Sequence, residues 1–378
     1  MKFSTKLALA LSILSLFISL SAVTAQNADI NSVSSPTSTN LNSVCVVNNV
    51  TSSGADITKL NAWAVGDSGT IVMWDGSQWR TVESPTSMNL YSVTFNNATN
   101  GWAVGGSNDK GVILYYNGTW SEWSRISFSG FTDSFDTVNN TLYAVTISND
   151  GMNGWIVGAG GVTLNWNGDT WFGLMGTTAN TMRSVAMIHS SAEAWAVGDA
   201  GAIMHWTGTA WEAMTSPTNA PLYAIQMISA TQGWAAGGSN NEGVVLQLSG
   251  TTWQPVSNFV FGAAGQSQST VNSTIYAISL GNANSAWASG SNGLVMYWTG
   301  TAWECNANIA SGNLKGISMV HDSVNQAWVV GDGGAIMAFN GTNWVPELPI
   351  IAVPLILGAT LLLALFGKTK LFKKPLLV

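Results

Sequence analysis

The hydrophobic pattern of this 378-residue chain repeats seven times. Each copy opens on an apolar stretch that contains Trp, turns through small residues, enters a second apolar stretch and closes at a Gly-containing tip with another Trp. The opening tryptophans are Trp63, Trp102, Trp155, Trp195, Trp234, Trp287 and Trp328; the closing ones are Trp79, Trp120, Trp171, Trp211, Trp253, Trp303 and Trp344. Four more stand just before the tip, at Trp74, Trp166, Trp206 and Trp298, so that of the 19 tryptophans only Trp123 lies outside this pattern.

Each repeat predicts four short strands. In the second repeat they cover residues 90–95, 101–105, 111–116 and 120–125, with Gly and Asn in the turns because both tolerate positive φ. Consecutive apolar residues, as in residues 71–74, predict strands that are covered on both faces. A strand-only period of 39 to 53 residues indicates an all-β, seven-bladed β-propeller of four-stranded blades over residues 26–347. The repeats begin near residues 41, 90, 142, 182, 222, 275 and 314.

Closure of the ring has two candidate strands. Residues 33–41 closely match residues 82–90, which end the first repeat, so the N-terminal segment is one candidate for the last strand of the seventh blade. The seventh repeat also has its own fourth strand, beginning at Trp344. The sequence leaves both open.

The two ends of the chain indicate export and anchoring. Lys2 and Lys6, the apolar stretch after them and the small residues before residue 26 predict a signal peptide over residues 1–25. Residues 348–367 carry no charge and predict a transmembrane helix, and the lysines of residues 368–378 place that tail in the cytoplasm. Residues 26–347 then lie outside the cell. A net charge of -7 with few clustered cations argues against a nucleic-acid partner.

Six Asn-x-Ser/Thr sequons fit an exported, glycosylated surface. They are Asn49, Asn97, Asn117, Asn139, Asn272 and Asn340.

The second and fifth repeats depart from the others. Both have a lengthened turn between strands two and three, and both have long exits, at residues 124–141 and 254–274. In an up-and-down blade these segments share one face, so we expect two nearly opposite enlargements of one rim, where loops carry function. Neutral loop growth explains the same lengths and stays open. The candidate ligand-binding residues are Asn108, Asp109, Lys110, Trp123, Phe128, Phe131, Phe135, Asn240, Asn241, Glu242, Phe259 and Phe261.

The motif Trp-Ala-Val-Gly-x-x-Gly-x-Ile, at residues 63–71 and 195–203, resembles the propellers of the photosystem II assembly and stability factor family and related Asp-box (BNR-like) propellers. The tips at residues 74–79 and 166–171 resemble degenerate Asp boxes and also tectonin repeats of sugar-binding propellers. The resemblance implies a propeller. Such propellers serve assembly, adhesion, lectin and hydrolase roles, so it leaves the activity open.

A tetrad precedes the apolar C-terminal helix, formed by Pro346, Glu347, Leu348 and Pro349. Tetrad, helix and basic tail together resemble the archaeal PEF-type sorting signals, although that family usually has Phe where Leu348 stands. The resemblance implies processing by an archaeosortase and transfer to a surface lipid after signal peptidase cleavage. A plain single-pass anchor explains the same residues.

The polar residues do not predict catalysis or a cofactor. A sialidase-like hydrolase needs clustered arginines and paired carboxyls, whereas Arg80 and Arg125 fall on outer strands. Three Asp residues share one turn position, Asp67, Asp199 and Asp332, where the usual role is to bond amides of the same turn. One carboxylate per blade makes no calcium site, and His189, His205 and His321 have no zinc-ligand spacing. Cys45 and Cys305 are expected on inner and outer strands, too far apart to bridge.

The repeated tryptophans fit packing between blades better than sugar stacking. The sequence therefore favours a non-catalytic cell-surface propeller that recognises protein, in adhesion or envelope assembly. A glycan-binding, lectin-like propeller with pockets between blades is the alternative, and an Asp-box glycoside hydrolase is a weaker one.

Overall fold

A computed structural model describes residues 34–47, 61–128, 134–135, 138–174, 178–188, 193–261, 266–282, 284–306, 309–320, 326–339 and 344–345. The signal peptide, transmembrane helix, tail and sorting tetrad predicted above all lie outside these residues, as do Asn49, Phe131 and Asn340. Within the described ranges, no helix has the length and apolar content needed to cross a bilayer.

The described strands form seven sheets, and each sheet contains four consecutive antiparallel strands in chain order. The first strands are β1 (Leu41–Val46), β5 (Leu90–Asn97), β11 (Leu142–Ile147), β15 (Met182–Met187), β19 (Leu222–Ser229), β25 (Ile275–Asn282) and β29 (Leu314–Met319). The second strands are β2 (Ala62–Gly66), β6 (Asn100–Ser107), β12 (Gly154–Gly158), β16 (Ala194–Gly198), β20 (Gln232–Ser239), β26 (Ser285–Gly290) and β30 (Ala327–Gly331). The third strands are β3 (Ile71–Trp74), β7 (Lys110–Tyr116), β13 (Thr163–Trp166), β17 (Ile203–Trp206), β21 (Glu242–Ser249), β27 (Val295–Trp298) and β31 (Ile336–Phe339). The fourth strands are β4 (Trp79–Val82), β8 (Trp120–Glu122), β14 (Trp171–Leu174), β18 (Trp211–Ala213), β22 (Thr252–Pro255), β28 (Trp303–Asn306) and β32 (Trp344–Val345).

These sheets are the blades of a propeller, which confirms the predicted fold class. The first strands are innermost and contact one another in sequence around the ring, with β1 against β29 where the two ends meet. Together they line a central channel of about 470 Å³. The second strands are buried along almost their whole length, as their consecutive apolar residues predicted.

The repeated tryptophans pack between blades, which confirms the packing interpretation. All seven opening tryptophans are buried. At four blade boundaries the closing tryptophan of one blade meets the opening tryptophan of the preceding blade edge to face, at centroid distances of 4.9 to 5.6 Å. Trp79 of blade one meets Trp328 of blade seven in the same way, at 5.2 Å and 88°. Such contacts stabilise the propeller in addition to the large apolar area that each indole ring buries.

Each link between blades docks on the turn that joins the second and third strands. The amide of Asp67 donates to the carbonyl of Asn40 (3.0 Å), and the other six blades have an equivalent bond. The last glycine of a turn then contacts the link that leads from the same blade to the next. Gly69 has a φ of +70°, and a Cβ there would lie 1.9 Å from the carbonyl oxygen of Thr86, so only glycine fits.

The N-terminal segment closes the ring as a link, while the fourth strand of blade seven comes from its own repeat. A Cβ at Gly334 would lie 2.0 Å from the carbonyl oxygen of Thr37, as at Gly69 and Thr86. The Ser35 hydroxyl donates to that carbonyl (3.0 Å), as Ser84 does to Thr86 (3.1 Å). Residues 34–40 contain no strand, and β32 pairs with β31. The two candidates therefore do not compete, because they fill different places.

The long exits of repeats two and five build hairpins on the outside of the next blade. They contain β9 (Ile126–Phe128) with β10 (Ser134–Phe135), and β23 (Phe259–Phe261) with β24 (Gln266–Gln268). β9 pairs in parallel with β14, and β23 pairs in parallel with β28, so blades three and six have six strands. The ends of the exits return to the expected rim, where Gly111 N donates to Val138 O (2.7 Å) and Gly243 N to Val271 O (2.8 Å).

Candidate functional site

One residue of each first strand forms a ring around one end of the channel. It is the second residue of the strand, and the ring consists of Asn42, Tyr91, Tyr143, Arg183, Tyr223, Tyr276 and Lys315. Every member is half-buried, and four of the seven tyrosines of the chain are among them. We call this set the mouth ring.

The backbone explains why these side chains share one place. In all seven blades the pairing of first and second strands slips by one residue at this position, so the mouth-ring residue is the extra residue of a β-bulge. A bulge leaves one residue out of the ladder and re-aims its side chain. The mouth ring is therefore a fixed feature of the scaffold whose side chains are free to vary.

The mouth ring lies on the face that carries the turns between second and third strands. We call this the mouth face. The lengthened turns of blades two and five rise from it, with Asn108, Asp109, Asn240 and Asn241 at positive φ, as the hairpin chemistry predicted. These two tips stand three blades apart in the ring of seven, nearly opposite each other.

The three turn aspartates bond to this ring. Asp199 accepts two hydrogen bonds from Arg183, Nε to Oδ1 and Nη2 to Oδ2, both 2.9 Å. Asp332 Oδ1 lies 2.9 Å from Lys315 Nζ. The expectation that these carboxylates bond amides of their own turns was wrong, because the bulge brings the mouth-ring side chain of the same blade within reach.

Asp67 differs from the other two. Its Oδ1 accepts a hydrogen bond from the side-chain amide of Asn42 (2.8 Å), and its Oδ2 accepts one from the side-chain amide of Asn40 (3.0 Å). The described residues place no cation within salt-bridge distance of it.

Neighbouring members of the ring touch across blade boundaries. Tyr91 packs on Tyr143 with centroids 5.2 Å apart, and Tyr223 packs on Tyr276 at 5.7 Å. The guanidinium carbon of Arg183 lies 4.5 Å from the centre of the Tyr143 ring, a cation–π distance. Lys315 Nζ lies 3.4 Å from Asn42 Oδ1, which joins the last blade to the first. These contacts limit the rotamers of the ring before any ligand arrives.

The ion pairs shift the ionisation of their members. Burial disfavours the charge of Arg183, but the hydrogen bonds and charge of Asp199 outweigh it and raise the pKa of the guanidinium. Burial likewise opposes ionisation of Asp332, yet hydrogen bonds from Lys315 and the Asn313 amide lower the pKa of this carboxyl. Burial, Tyr223 and Asp332 raise the pKa of Tyr276. These shifts favour the charged forms of Arg183 and Asp332 and the protonated phenol of Tyr276 at neutral pH.

Below the ring, the channel wall combines small and apolar residues with uncharged polar ones, such as Asn96, Asn149 and Gln226. Among the described residues that line it, Arg183 and Lys315 are the only charged ones, and none is Asp or Glu. The paired carboxyls that a glycosidase needs are absent from this lining. Cys45 lies there too, and burial raises the pKa of its thiol to about 11. No group of metal-ligating side chains occurs among the described residues.

The candidate residues named from the sequence fall into separate places. Asn108, Asp109 and Lys110 are exposed at one tip of the mouth face, and Asn240, Asn241 and Glu242 at the other. The aromatic candidates do not join them. Trp123 is half-buried between blades two and three, against Trp102, Tyr115 and Trp166.

Phe259 is 1% exposed and packs in the core between blades five and six, so it cannot contact a ligand in this structure. Phe261 is half-buried on β23. Phe128 and Phe135 belong to β9 and β10, and their side chains lie outside the described residues. Phe259 was wrong as a rim residue, because β23 runs along the outer strand of blade six and its Phe259 side chain packs in the core. The role of Phe128, Phe131 and Phe135 stays a prediction.

The remaining polar candidates are dispersed. Arg80 pairs with Asp75, and Arg125 pairs with Asp169 at 2.9 Å, both on the outer edge. His205 stacks on Trp195 at 4.3 Å and bonds Glu193 at 2.9 Å. Cys305 is buried on β28, where burial raises its pKa to about 12, and both cysteines are free thiols. Asn117, Asn139 and Asn272 are exposed and Asn97 is half-buried, and their glycosylation stays a prediction.

Sequence reasoning missed the mouth ring, although the signal was present. Reading the second position of each repeat as a column gives Asn, Tyr, Tyr, Arg, Tyr, Tyr and Lys. The turn aspartate occurs only in repeats one, four and seven, where that column holds Asn, Arg or Lys, and never where it holds Tyr. This co-occurrence within one chain indicates contact.

Comparison with known proteins supports the fold. The chain matches no protein-family model and no curated protein. Among solved structures, YCF48 bound to D1 peptide superposes with a TM-score of 0.56 at 15% identity, covering 83% of this chain and 97% of that one. YCF48 from Cyanidioschyzon merolae gives 0.54 at 15% identity, with 83% and 99% covered. The WD40 β-propeller domain of Doa1 gives 0.58 at 11% identity, with 80% and 93% covered.

At these identities the likeness shows the fold alone. The propeller part of the resemblance found in the sequence is thereby confirmed. The resemblance of the C-terminus to a sorting signal concerns residues that the structure does not describe.

Proposed function

We propose that this protein is a non-catalytic recognition module that binds a segment of a protein partner on its mouth face. The observation that carries the proposal is the mouth ring, a continuous circle of four tyrosines, Arg183, Lys315 and Asn42. Tyr and Arg are enriched among the residues that dominate protein interfaces, because they offer large contact areas and directional hydrogen bonds.

The geometry suits binding with little rearrangement. Arg183 is clamped by Asp199 and stacked on Tyr143, so ordering it on binding costs little entropy. Its Nη1 group has no hydrogen-bond partner among the described residues and remains available to a peptide carbonyl. The two exposed tips flank the ring and extend the surface that a partner meets.

Two further points support a protein ligand. The solved YCF48 structure contains a D1 peptide, so a propeller of this fold takes a peptide ligand. The lectin alternative relied on repeated tryptophans in pockets between blades, and those tryptophans are buried against each other. Export, cell-surface anchoring and a role in adhesion or envelope assembly remain part of the proposal on the strength of the chain ends.

The test is selection of a displayed random-peptide library on the immobilised full-length protein. We expect peptides whose affinity falls at least about tenfold in the Tyr91→Ala/Tyr223→Ala variant, since truncating interface tyrosines commonly costs that much. Phe172→Ala is the matched control, because Phe172 is an exposed aromatic residue on the outer strand β14. Failure to select any peptide sensitive to the tyrosine variant would overturn the proposal, and so would binding of a glycan array at several equivalent sites.

A further inference from the structure

The three turn aspartates provide an internal comparison of charge. In blades four and seven the carboxylate is neutralised by a cation of its own blade, Arg183 or Lys315. In blade one the corresponding residue is Asn42, which offers Asp67 only a neutral amide. The mouth ring and the turn aspartates bonded to it therefore hold three carboxylates and two cations, and the unbalanced carboxylate belongs to blade one.

The neighbouring cation, Lys315, does not neutralise Asp67 directly. Lys315 reaches Asn42 Oδ1 at 3.4 Å and Asp332 at 2.9 Å, so one amide separates it from Asp67. Asp67 is half-buried, and a half-buried carboxylate gains more from a cation than an exposed one does. Hydrogen bonds from the two Asn side chains hold its carboxylate in place, so it is preorganised for such a contact.

Tyr91 follows Asn42 in the mouth ring, and Asn89 connects it to the turn of Asp67: Asn89 Nδ2 donates to the Tyr91 hydroxyl (3.4 Å), and Asn89 Oδ1 accepts from the backbone amide of Ser68 (2.9 Å). The Arg183 guanidinium over Tyr143 demonstrates, within this ring, that its tyrosines accept a cation on their faces. A carboxylate of blade one and a mouth-ring tyrosine of blade two thus occur without the cation that the ring holds beside Asp199 and Asp332.

The net charge of residues 26–347 also favours a cationic ligand. Six of the 12 Lys and Arg residues lie in residues 1–25 and 368–378, whereas all 19 Asp and Glu residues lie between these ends. Residues 26–347 therefore carry 19 acidic and six basic side chains, a net charge of -13. Such a field speeds the encounter with basic segments.

We infer that the blade-one side of the mouth, Asp67 with Tyr91, receives a Lys or Arg side chain of the protein partner. The inference rests on the proposed function and names the chemistry of its ligand. A metal ion is a poorer occupant, because it needs several converging oxygen ligands and Asp67 is one carboxylate.

The test uses the peptides selected on the full-length protein. We expect those sensitive to Tyr91→Ala/Tyr223→Ala to be enriched in Lys and Arg, and to bind about tenfold more weakly to Asp67→Asn, as loss of a charge-assisted contact implies. Asn42→Arg rebuilds in blade one the pair seen between Arg183 and Asp199, and it should weaken the same peptides by supplying the missing cation internally. Glu212→Gln removes an equal charge from the outer strand β18 and should leave the affinity unchanged.

Each outcome decides one of the two proposals. Mouth-dependent peptides without basic residues, or peptides that bind Asp67→Asn and Asn42→Arg as tightly as the unmodified protein, overturn this inference and leave the proposed function standing. Absence of any mouth-dependent peptide overturns the proposed function instead. Because Asn42→Arg copies a pair already present in the fold, it reports on the site even if Asp67→Asn disturbs the turn.

Discussion

Two positions recur in every blade, and they behave oppositely. The opening tryptophan of the second strand is the same residue in all seven repeats and is buried in each. The mouth-ring position is equally regular in its backbone, since a bulge occurs in every first strand, yet it holds four residue types and is half-buried throughout.

The difference distinguishes a position that builds the scaffold from the position at which we propose recognition. Packing between blades demands one shape, so duplication of the repeat preserves Trp there. The bulge fixes only where the mouth-ring side chain lies, so its chemistry can change without loss of the fold. Variation at a structurally fixed position is therefore the best indicator of function in this molecule.

The largest expected effect comes from the scaffold position. Trp155→Ala should lower the free energy of unfolding by about 3–5 kcal/mol, because Trp155 is 1% exposed and its ring contacts Trp206 and Trp211. The matched change in the mouth ring, Tyr223→Ala, should cost less than about 1 kcal/mol. Urea denaturation of both variants measures this, and equal losses would erase the distinction between the two positions.

Two adjacent glycines of one mouth-face turn, Gly333 and Gly334, allow a similar comparison of a constrained position with a tolerant one. Gly334→Ala should cost about 2 kcal/mol or more, since its φ is +75° and its Cβ would meet the Thr37 carbonyl at 2.0 Å. Gly333→Ala should cost about 1 kcal/mol or less, because nothing lies within 4 Å and blade four already has Ala200 there, at a φ of 55°. If Gly334→Ala is as harmless as Gly333→Ala in thermal unfolding, residues 34–40 do not close the ring.

The smallest effect belongs to the ion pairs of the mouth face. The lowered pKa of Asp332 means that its pairing with Lys315 stabilises the fold above about pH 4 and that this contribution is lost as the pH falls through the lowered value. Lys315→Met should therefore cost no more than about 1 kcal/mol at pH 7. The difference from the unmodified protein should vanish in denaturant titrations once the pH is below the lowered pKa of Asp332. A difference that grows on acidification would contradict the assignment.

Much of the fold was predictable because the same physical constraints recur in all seven repeats. Apolar strands, glycine turns and paired tryptophans recur together, and first strands begin at Leu41, Leu90 and the other residues where the pattern restarts. The match between residues 33–41 and 82–90 marked the closing link, although its role as a link rather than a strand depends on the turn at Gly334.

The site was less predictable, for two reasons. The pairing of β9 with β14 joins segments far apart in the chain, so nothing local revealed that the long exits run along outer edges. The contact between Arg183 and Asp199 depends on a β-bulge, and the residues around Arg183 do not by themselves predict a bulge at that position. Comparing columns across repeats would have found the second but not the first.

The most direct test of recognition at the mouth ring is a structure of the full-length protein with a selected peptide. The account predicts that the peptide lies on the mouth face between the tips at Asp109 and Asn241, in contact with the tyrosines of the ring and with a basic side chain beside Asp67. A peptide bound instead along the outer strands β10 or β24, with the mouth ring untouched, would contradict it.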